Sequence, residues 1–290
     1  MRNNKLSETI IHGIFLLLGL ITVGFVLLIT IYLVVSGLPA MMEIGLVPFL
    51  LGDTWASTAP QPQFGILPFI LTSVYGTAGA IVIGVPIGFL TAVYLAKVAP
   101  RSVREVVEGA VNLLAGIPSV VYGLVGMLVL VPAIREIFDV PDGASLLAAI
   151  IVLAIMILPS IVKVSITALD AVPKEYEDAS LALGATQTET FFRVSVPAAK
   201  SGIAAAVVLG VGRAIGEAMA VMMVAGNVAN MPSLFESVRF LTTAVASEMA
   251  YSAPDSLQRD ALFSIALVLF MFIMMINAAL SFFLKREREN

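Results

Sequence analysis

Long uninterrupted apolar runs constrain this chain more than any other feature. A helix of about 20 apolar residues crosses the hydrocarbon layer of a bilayer. Six segments reach that length, at 10–36, 66–96, 106–133, 144–172, 199–225 and 260–284. None follows the two-residue alternation of a membrane β-strand. The expectation is an all-α polytopic membrane protein with six transmembrane helices. Composition agrees: the 290 residues are 59% hydrophobic and 12% charged, with a mean hydropathy of +1.02. Soluble domains run near 45–50% apolar and about 25% charged. The chain has no cysteine, which excludes a disulfide framework and a thiolate metal site.

Orientation follows from the placement of Lys and Arg, which favour cytoplasmic loops. One side collects Arg2, Lys5, Lys97, Arg101, Arg104, Lys163, Lys174, Arg193, Lys200, Lys285, Arg286 and Arg288. The other collects Arg135, Arg239 and Arg259. Twelve against three predicts cytoplasmic tails at 1–9 and 285–290, and both termini inside requires an even number of spans. The first run is about twice as long as a signal-peptide core, and Pro39 sits where cleavage would fall, so 10–36 reads as an uncleaved anchor helix.

Two outer loops, 37–65 and 226–259, are longer than a helix turn needs and are candidate docking surfaces for an extracytoplasmic partner. The first carries the only tryptophan, Trp55, which reads as an interfacial anchor. In the second, 234–249 has the spacing of a short amphipathic helix on the outer surface.

The inner loop 173–197 is too polar for lipid and too regular for disorder. Pro173 suits the start of a helix, and Glu175, Glu177 and Asp178 place carboxylates at its positive end. Gly184 stops the helix as a residue after the C-cap does. A second short helix follows with Phe191, Phe192 and Val194, and Pro197 opens the next span. The expected shape is helix, glycine turn, helix, able to dock a cytoplasmic protein.

This loop resembles the EAA motif of ABC importer permeases: Glu-Ala-Ala, three residues, Gly, nine residues, Ile-x-Leu-Pro. Asp178, Ala179 and Ser180 stand at the first three positions, Gly184 at the glycine, and Val194-Ser195-Val196-Pro197 at the close. The departures are Asp for Glu, Ser for Ala, and Val for Ile and Leu; the spacing is intact. The segments 64–69, 113–123, 145–160, 179–186 and 212–227 extend the likeness to the phosphate importer permeases, in particular the PstC type. The resemblance implies an N-terminal helix followed by a five-helix core of the MetI-like fold, spanning 66–284. It implies that Glu177, Asp178, Ala179, Ser180, Gly184 and Pro197 belong to a coupling segment seated on an ATPase. It also implies a PstA-type second permease subunit, a dimer of PstB-type ATP-binding subunits, a PstS-type extracytoplasmic binding protein and phosphate as cargo, in the cell membrane.

Two charges lie within the fifth run. Arg213 is about 21 Å along the helix from Ala199, well inside a hydrocarbon core about 30 Å thick. An Arg at such depth costs roughly 2.5–3.5 kcal/mol and normally faces an interior or a wet pathway. Glu217 is four residues on, so the two share a helix face and can pair, fixing packing or holding Arg213 while the path is empty. The guanidinium fork matches phosphate oxygens, and the resemblance implies that both positions matter for transport. Ser119, Tyr122, Thr72 and Ser73 are candidate pathway hydroxyls, with ordinary helix packing as the competing reading. Pro118, Pro159 and Gly116 read as interruptions whose freed carbonyls could line a path. His12 reads as interfacial, the 13 methionines as filler, and no metal box is seen. No phosphate-binding P-loop pattern and no catalytic constellation occur, so the chain reads as a non-enzyme served by a separate ATPase. A permease for sulfate or molybdate, or a gated anion channel, are the alternatives, and a channel has no use for the 173–197 knob.

Overall fold

The computed structural model describes residues 2–289, with the side chains of 2–7, 9, 280, 281 and 283–290 left aside. Met1 and Asn290, at the ends of the predicted tails, lie outside the described residues, as do the side chains of Arg2, Lys5, Lys285, Arg286 and Arg288 from the charge tally. In chain order the elements are helix α1 (Arg2–Ile44), α2 (Leu46–Leu51), strands β1 (Trp55–Ala56) and β2 (Gln63–Phe64), then α3 (Leu67–Lys97) and α4 (Arg101–Gly116). Next come α5 (Ser119–Val125), a π-helical stretch Gly126–Leu130 and α6 (Val131–Phe138), which together form one rod. There follow α7 (Leu146–Asp170), α8 (Lys174–Ala182), α9 (Gln187–Thr190), a second π stretch Phe191–Ser195 and α10 (Val196–Ala198). The last helices are α11 (Lys200–Gly216), α12 (Met219–Val224), α13 (Leu241–Glu248) and α14 (Leu257–Glu289).

Among the described residues, five helices are long and apolar enough to cross a membrane: Ile10–Ile44, Leu67–Lys97, Ser119–Phe138, Leu146–Asp170 and Leu257–Ala279. A sixth candidate is the pair Gln187–Ala198 and Lys200–Gly216, bent by 72°. This is the all-α polytopic fold expected, apart from a two-residue antiparallel hairpin pairing Trp55 with Phe64.

The third span begins later than the hydropathy run that announced it. Ile117 precedes a proline and is driven to extended backbone (φ −71°, ψ 128°), so α4 ends at Gly116. Helix α4 has no fully buried residue and carries the i,i+4 pairs Arg101–Glu105 and Arg104–Glu108; it packs on α7 through half-buried Val107 and Val111, and the span starts at Ser119. Pro159, expected to interrupt its span, is buried inside an unbroken α7.

The centre of the bundle is α3 against α7. Gly76, Ala80, Gly84, Gly88 and Ala92 recur at steps of four along α3 and bring its backbone close to α7. Lipid tails are as apolar as side chains, so such helices are held by tight van der Waals packing rather than by a hydrophobic drive. Ile157 and Ile161, both fully buried, fill the space that a Cβ on Gly84 or Gly88 would enter. The α1 helix stands outside this core with Phe15, Leu16, Phe25 and Val35 exposed. Gly37 lets it touch the α14 backbone at Phe263 and Ser264, the Ser264 hydroxyl donates to the Gly37 carbonyl, and Tyr32 meets Phe263 edge-on at 5.6 Å.

Segment 234–249 is not a surface helix. Leu241, Thr242, Thr243 and Ala244 of α13 are buried, because the Leu241 amide donates to the buried Ser73 hydroxyl at 3.0 Å and anchors α13 on α3. Trp55 is also buried rather than interfacial: its indole N–H donates to Glu248 at 3.1 Å.

Candidate functional site

Two helix breaks lie side by side. One is Ile117–Pro118 between α4 and α5. The other is at Glu217, whose extended backbone (φ −74°, ψ 127°) ends α11 before α12 begins at Met219. Helices α5 and α12 pack closely: a Cβ on Gly123 would sit 2.9 Å from the Ala220 Cα. The Tyr122 hydroxyl reaches back across the first break and donates at 2.7 Å to the Leu114 carbonyl, which also accepts the Ile117 N–H at 3.2 Å in the last turn of α4.

The second break separates Arg213 from Glu217. The sequence put them on one helix face; the structure ends the helix between them, and no ion pair forms. The Glu217 carboxylate instead accepts the Ala220 N–H at 3.0 Å, capping α12, while its carbonyl accepts the Thr242 hydroxyl at 2.8 Å. Arg213 is half-buried, near enough to Tyr122 for its charge to act there. Among the described residues it has no carboxylate partner. Three other half-buried cations do: Lys97 has Glu177, Arg104 has Glu108 and Asp170, and Arg239 has Glu248, whereas Arg259, at the start of α14, is like Arg213 without an ion pair among the described residues. A guanidinium inside the membrane region, beside two breaks and without a counter-ion, can receive an anion.

The remaining hydroxyls divide. Ser119 opens α5 at the first break and is half-buried. Thr72 and Ser73 are enclosed in α3, where Ser73 holds α13 and the Thr72 hydroxyl is without a hydrogen-bond partner among the described residues. Ser73 therefore sits one residue along α13 from the Thr242 contact with Glu217. Sequence reasoning used Lys163 only as a topology marker. It lies on α7, without an ion pair among the described residues, in a groove of about 200 Å³ between α4 and α7 that also holds Arg104, Asn112 and Asp170.

The 173–197 segment forms the expected hairpin. Helix α8 carries Glu177, Asp178, Ala179 and Ser180, and Gly184 turns the chain at φ +88°. Thr186 caps α9 in a reciprocal box with Glu189, satisfying two amides at once. Ser180 and Thr190 join the two arms at 2.9 Å. Glu177 fastens the hairpin to the bundle: Lys97, at the end of α3, lies 2.5 Å from its carboxylate and the buried Ser195 hydroxyl donates to the same oxygen at 2.8 Å. Burial opposes the Glu177 charge, and the Lys97 ammonium and Ser195 hydroxyl outweigh it, holding the carboxyl below the usual carboxylate range. Asp178, Ala179 and Pro197 are exposed, as are Tyr176, Leu181 and Phe192, and Leu183 is 90% exposed at the tip. The hairpin thus presents exposed apolar side chains while an ion pair holds it to the bundle. Lys97 was counted only for topology, and its pairing joins residues 80 apart in sequence.

Residues 84–286 match the family described as "Binding-protein-dependent transport system inner membrane component". The chain belongs to that family. Members are permease subunits of ABC transporters, and ATP hydrolysis resides on a separate chain. This permease is 40% identical over 283 residues to the "Probable ABC transporter permease protein YqgH" of Bacillus subtilis, covering 95% of this chain and 92% of that relative. It is 34% identical over 258 residues to the "Phosphate transport system permease protein PstC" of Mesorhizobium japonicum, covering 82% and 78%. Its fold is similar to an inward-facing structure of the MetNI methionine ABC transporter, with TM-score 0.61 and 19% identity over 77% of this chain and 95% of that one. A bacterial transporter importing the acidic polysaccharide alginate gives TM-score 0.60 at 15% identity, covering 84% and 92%.

Proposed function

We propose that this permease subunit forms half of the translocation pathway of an ATP-driven inorganic phosphate importer, with a PstA-type subunit forming the other half. The observation that carries the reading is Arg213, a membrane-region guanidinium with no carboxylate partner among the described residues, in the last turn of α11 before the Glu217 break. Its planar fork suits an oxyanion, and several relatives bear the name PstC. The α8–α9 hairpin, from Glu177 and Asp178 through Ala179, Ser180 and Gly184 to Pro197, docks on a PstB-type ATPase dimer. Both termini are then cytoplasmic and the β1–β2 end faces a PstS-type binding protein. The high-affinity site belongs to that protein, because a tight site in the path would retard release.

The test is uptake of radiolabelled phosphate by the co-purified complex in proteoliposomes, competed by sulfate and molybdate. Phosphate uptake resistant to both supports the reading, and uptake of sulfate or molybdate in its place refutes it. Another oxyanion remains the second reading, because the YqgH relative carries only a general permease name.

A further inference from the structure

Helix α13 has only eight residues, Leu241–Glu248, and helices this short are marginal in isolation. Its position therefore depends on what holds its ends. Glu248 lies in its last turn, where the helix dipole disfavours a carboxylate. Four donors from three other segments hold it there. The Trp55 indole N–H donates at 3.1 Å, the Ser57 hydroxyl and the Gln258 amide at 3.2 Å, and Arg239 closes an ion pair. Trp55 is packed edge-on against Phe64 at 5.4 Å, so the indole is fixed in the β1–β2 hairpin. Arg239 also donates to the Asn227 carbonyl at 2.8 Å, tying in the segment after α12.

At the other end the Leu241 amide is held by Ser73, and the Thr242 hydroxyl donates to the Glu217 carbonyl at 2.8 Å. That carbonyl lies at the α11–α12 break, where no intrahelical partner is available to it. From Thr242 to Glu248 the helix measures about 9 Å. A single rigid element thus has one end in the hairpin and the other on the break that follows Arg213.

We infer that α13 is a strut that carries displacement of the β1–β2 hairpin to the Glu217 break, with Trp55, Glu248 and Thr242 as positioning residues. Its part in transport rests on the proposed permease function, in which a binding protein docks at that end. The mechanical link does not depend on which substrate is carried. Pushing the hairpin moves Glu248, α13 follows as a unit, and the Glu217 carbonyl is dragged or released, which resets the end of the helix bearing Arg213.

The link is tested by hydrogen–deuterium exchange on the complete complex in lipid nanodiscs, in wild type, Trp55→Phe and Thr242→Val. Phe keeps the ring packing and removes the N–H; Val keeps the shape and removes the hydroxyl. Each variant is expected to speed exchange of the amides at 218–221 by about fivefold, what the net loss of one ordinary hydrogen bond amounts to. Peptides of the α3–α7 core should stay at the wild-type rate. If Trp55→Phe alters exchange only near 53–66 and 245–258, or Thr242→Val leaves 218–221 unchanged, the strut is overturned. ATP hydrolysis reads the role in transport: in Trp55→Phe the basal rate should persist while stimulation by loaded binding protein falls. Full stimulation with a loosened break would overturn that role. A wild-type complex that fails to carry phosphate would refute the substrate reading and leave the exchange result standing.

Discussion

The close approach of α3 to α7 makes a quantitative prediction about glycine. A Cβ on Gly84 would lie 2.7 Å from Ile157 Cδ1, 2.8 Å from Cγ1 and 3.0 Å from the Ala154 carbonyl oxygen. Ordinary contact begins near 3.5 Å, so Gly84→Ala must push the helices apart or turn Ile157 off its rotamer. Ile157 is fully buried and has little room to yield. Overpacking of this kind costs about 1–3 kcal/mol. The gain from replacing a mid-helix glycine is about 0.5–1 kcal/mol, which leaves a net loss of up to about 2.5 kcal/mol. At about 2–4 °C per kcal/mol, the apparent Tm should fall, by up to about 10 °C. Gly109→Ala is the control, because nothing lies within 4 Å of its added Cβ and only the helix gain applies. Thermal unfolding of the detergent-purified complex, followed by size-exclusion fluorescence, measures both. Equal Tm values for the two variants, or a rise for Gly84→Ala, would refute the packing argument.

At the hairpin tip the space around Gly184 is open and only its positive φ resists substitution. Gly184→Val should therefore lose ATPase binding or coupling through a backbone cost of about 1–2 kcal/mol, and Gly184→Asn, which tolerates that conformation, should retain most of it in a pull-down. Glu177 predicts a pH response. Its folded pKa lies below the 4.5 of an unperturbed glutamate, so the Lys97 contact contributes in full above about pH 4.5 and is lost as the pH falls through the lower folded value. A fluorophore on Leu183→Cys, in a chain otherwise without cysteine, should be equally ordered at pH 7 and pH 5 and loosen below that window, and Glu177→Gln should loosen it at every pH. Glu217 caps α12 through an oxygen and pairs with no cation among the described residues, so Glu217→Gln should keep uptake near wild type. Glu217→Ala, losing a cap worth about 1 kcal/mol, should lower it; equal losses in both would show that the charge matters.

What could be read in the sequence was whatever depends on neighbours along the chain. The apolar runs, the Gly184 turn and the carboxylates opening α8 are local signals, and the structure follows them. The Pro118 break was also local, yet hydropathy alone ran the third span across it, because the average ignores the extended backbone forced on Ile117. The Glu217 break carries no such mark. It stands because Thr242, 25 residues later, satisfies the freed carbonyl. Trp55 looked interfacial because its partner, Glu248, is 193 residues away. Likewise α13 looked like a surface helix until Ser73, on a different span, took up its first amide. The same blindness to distant partners produced the Arg213–Glu217 pair, which spacing permitted and the break removed.

The central claim is that Arg213 receives the transported anion. Its most direct test is radiolabelled phosphate uptake per assembled complex in Arg213→Gln and Arg213→Lys. Assembly should persist in both. The Gln variant, without charge, should lose nearly all uptake, and the Lys variant, with charge but no planar fork, should fall well below wild type. Normal specific uptake by Arg213→Gln, or uptake that declines only in step with the amount of complex in the membrane, would contradict the account and leave Arg213 a packing residue.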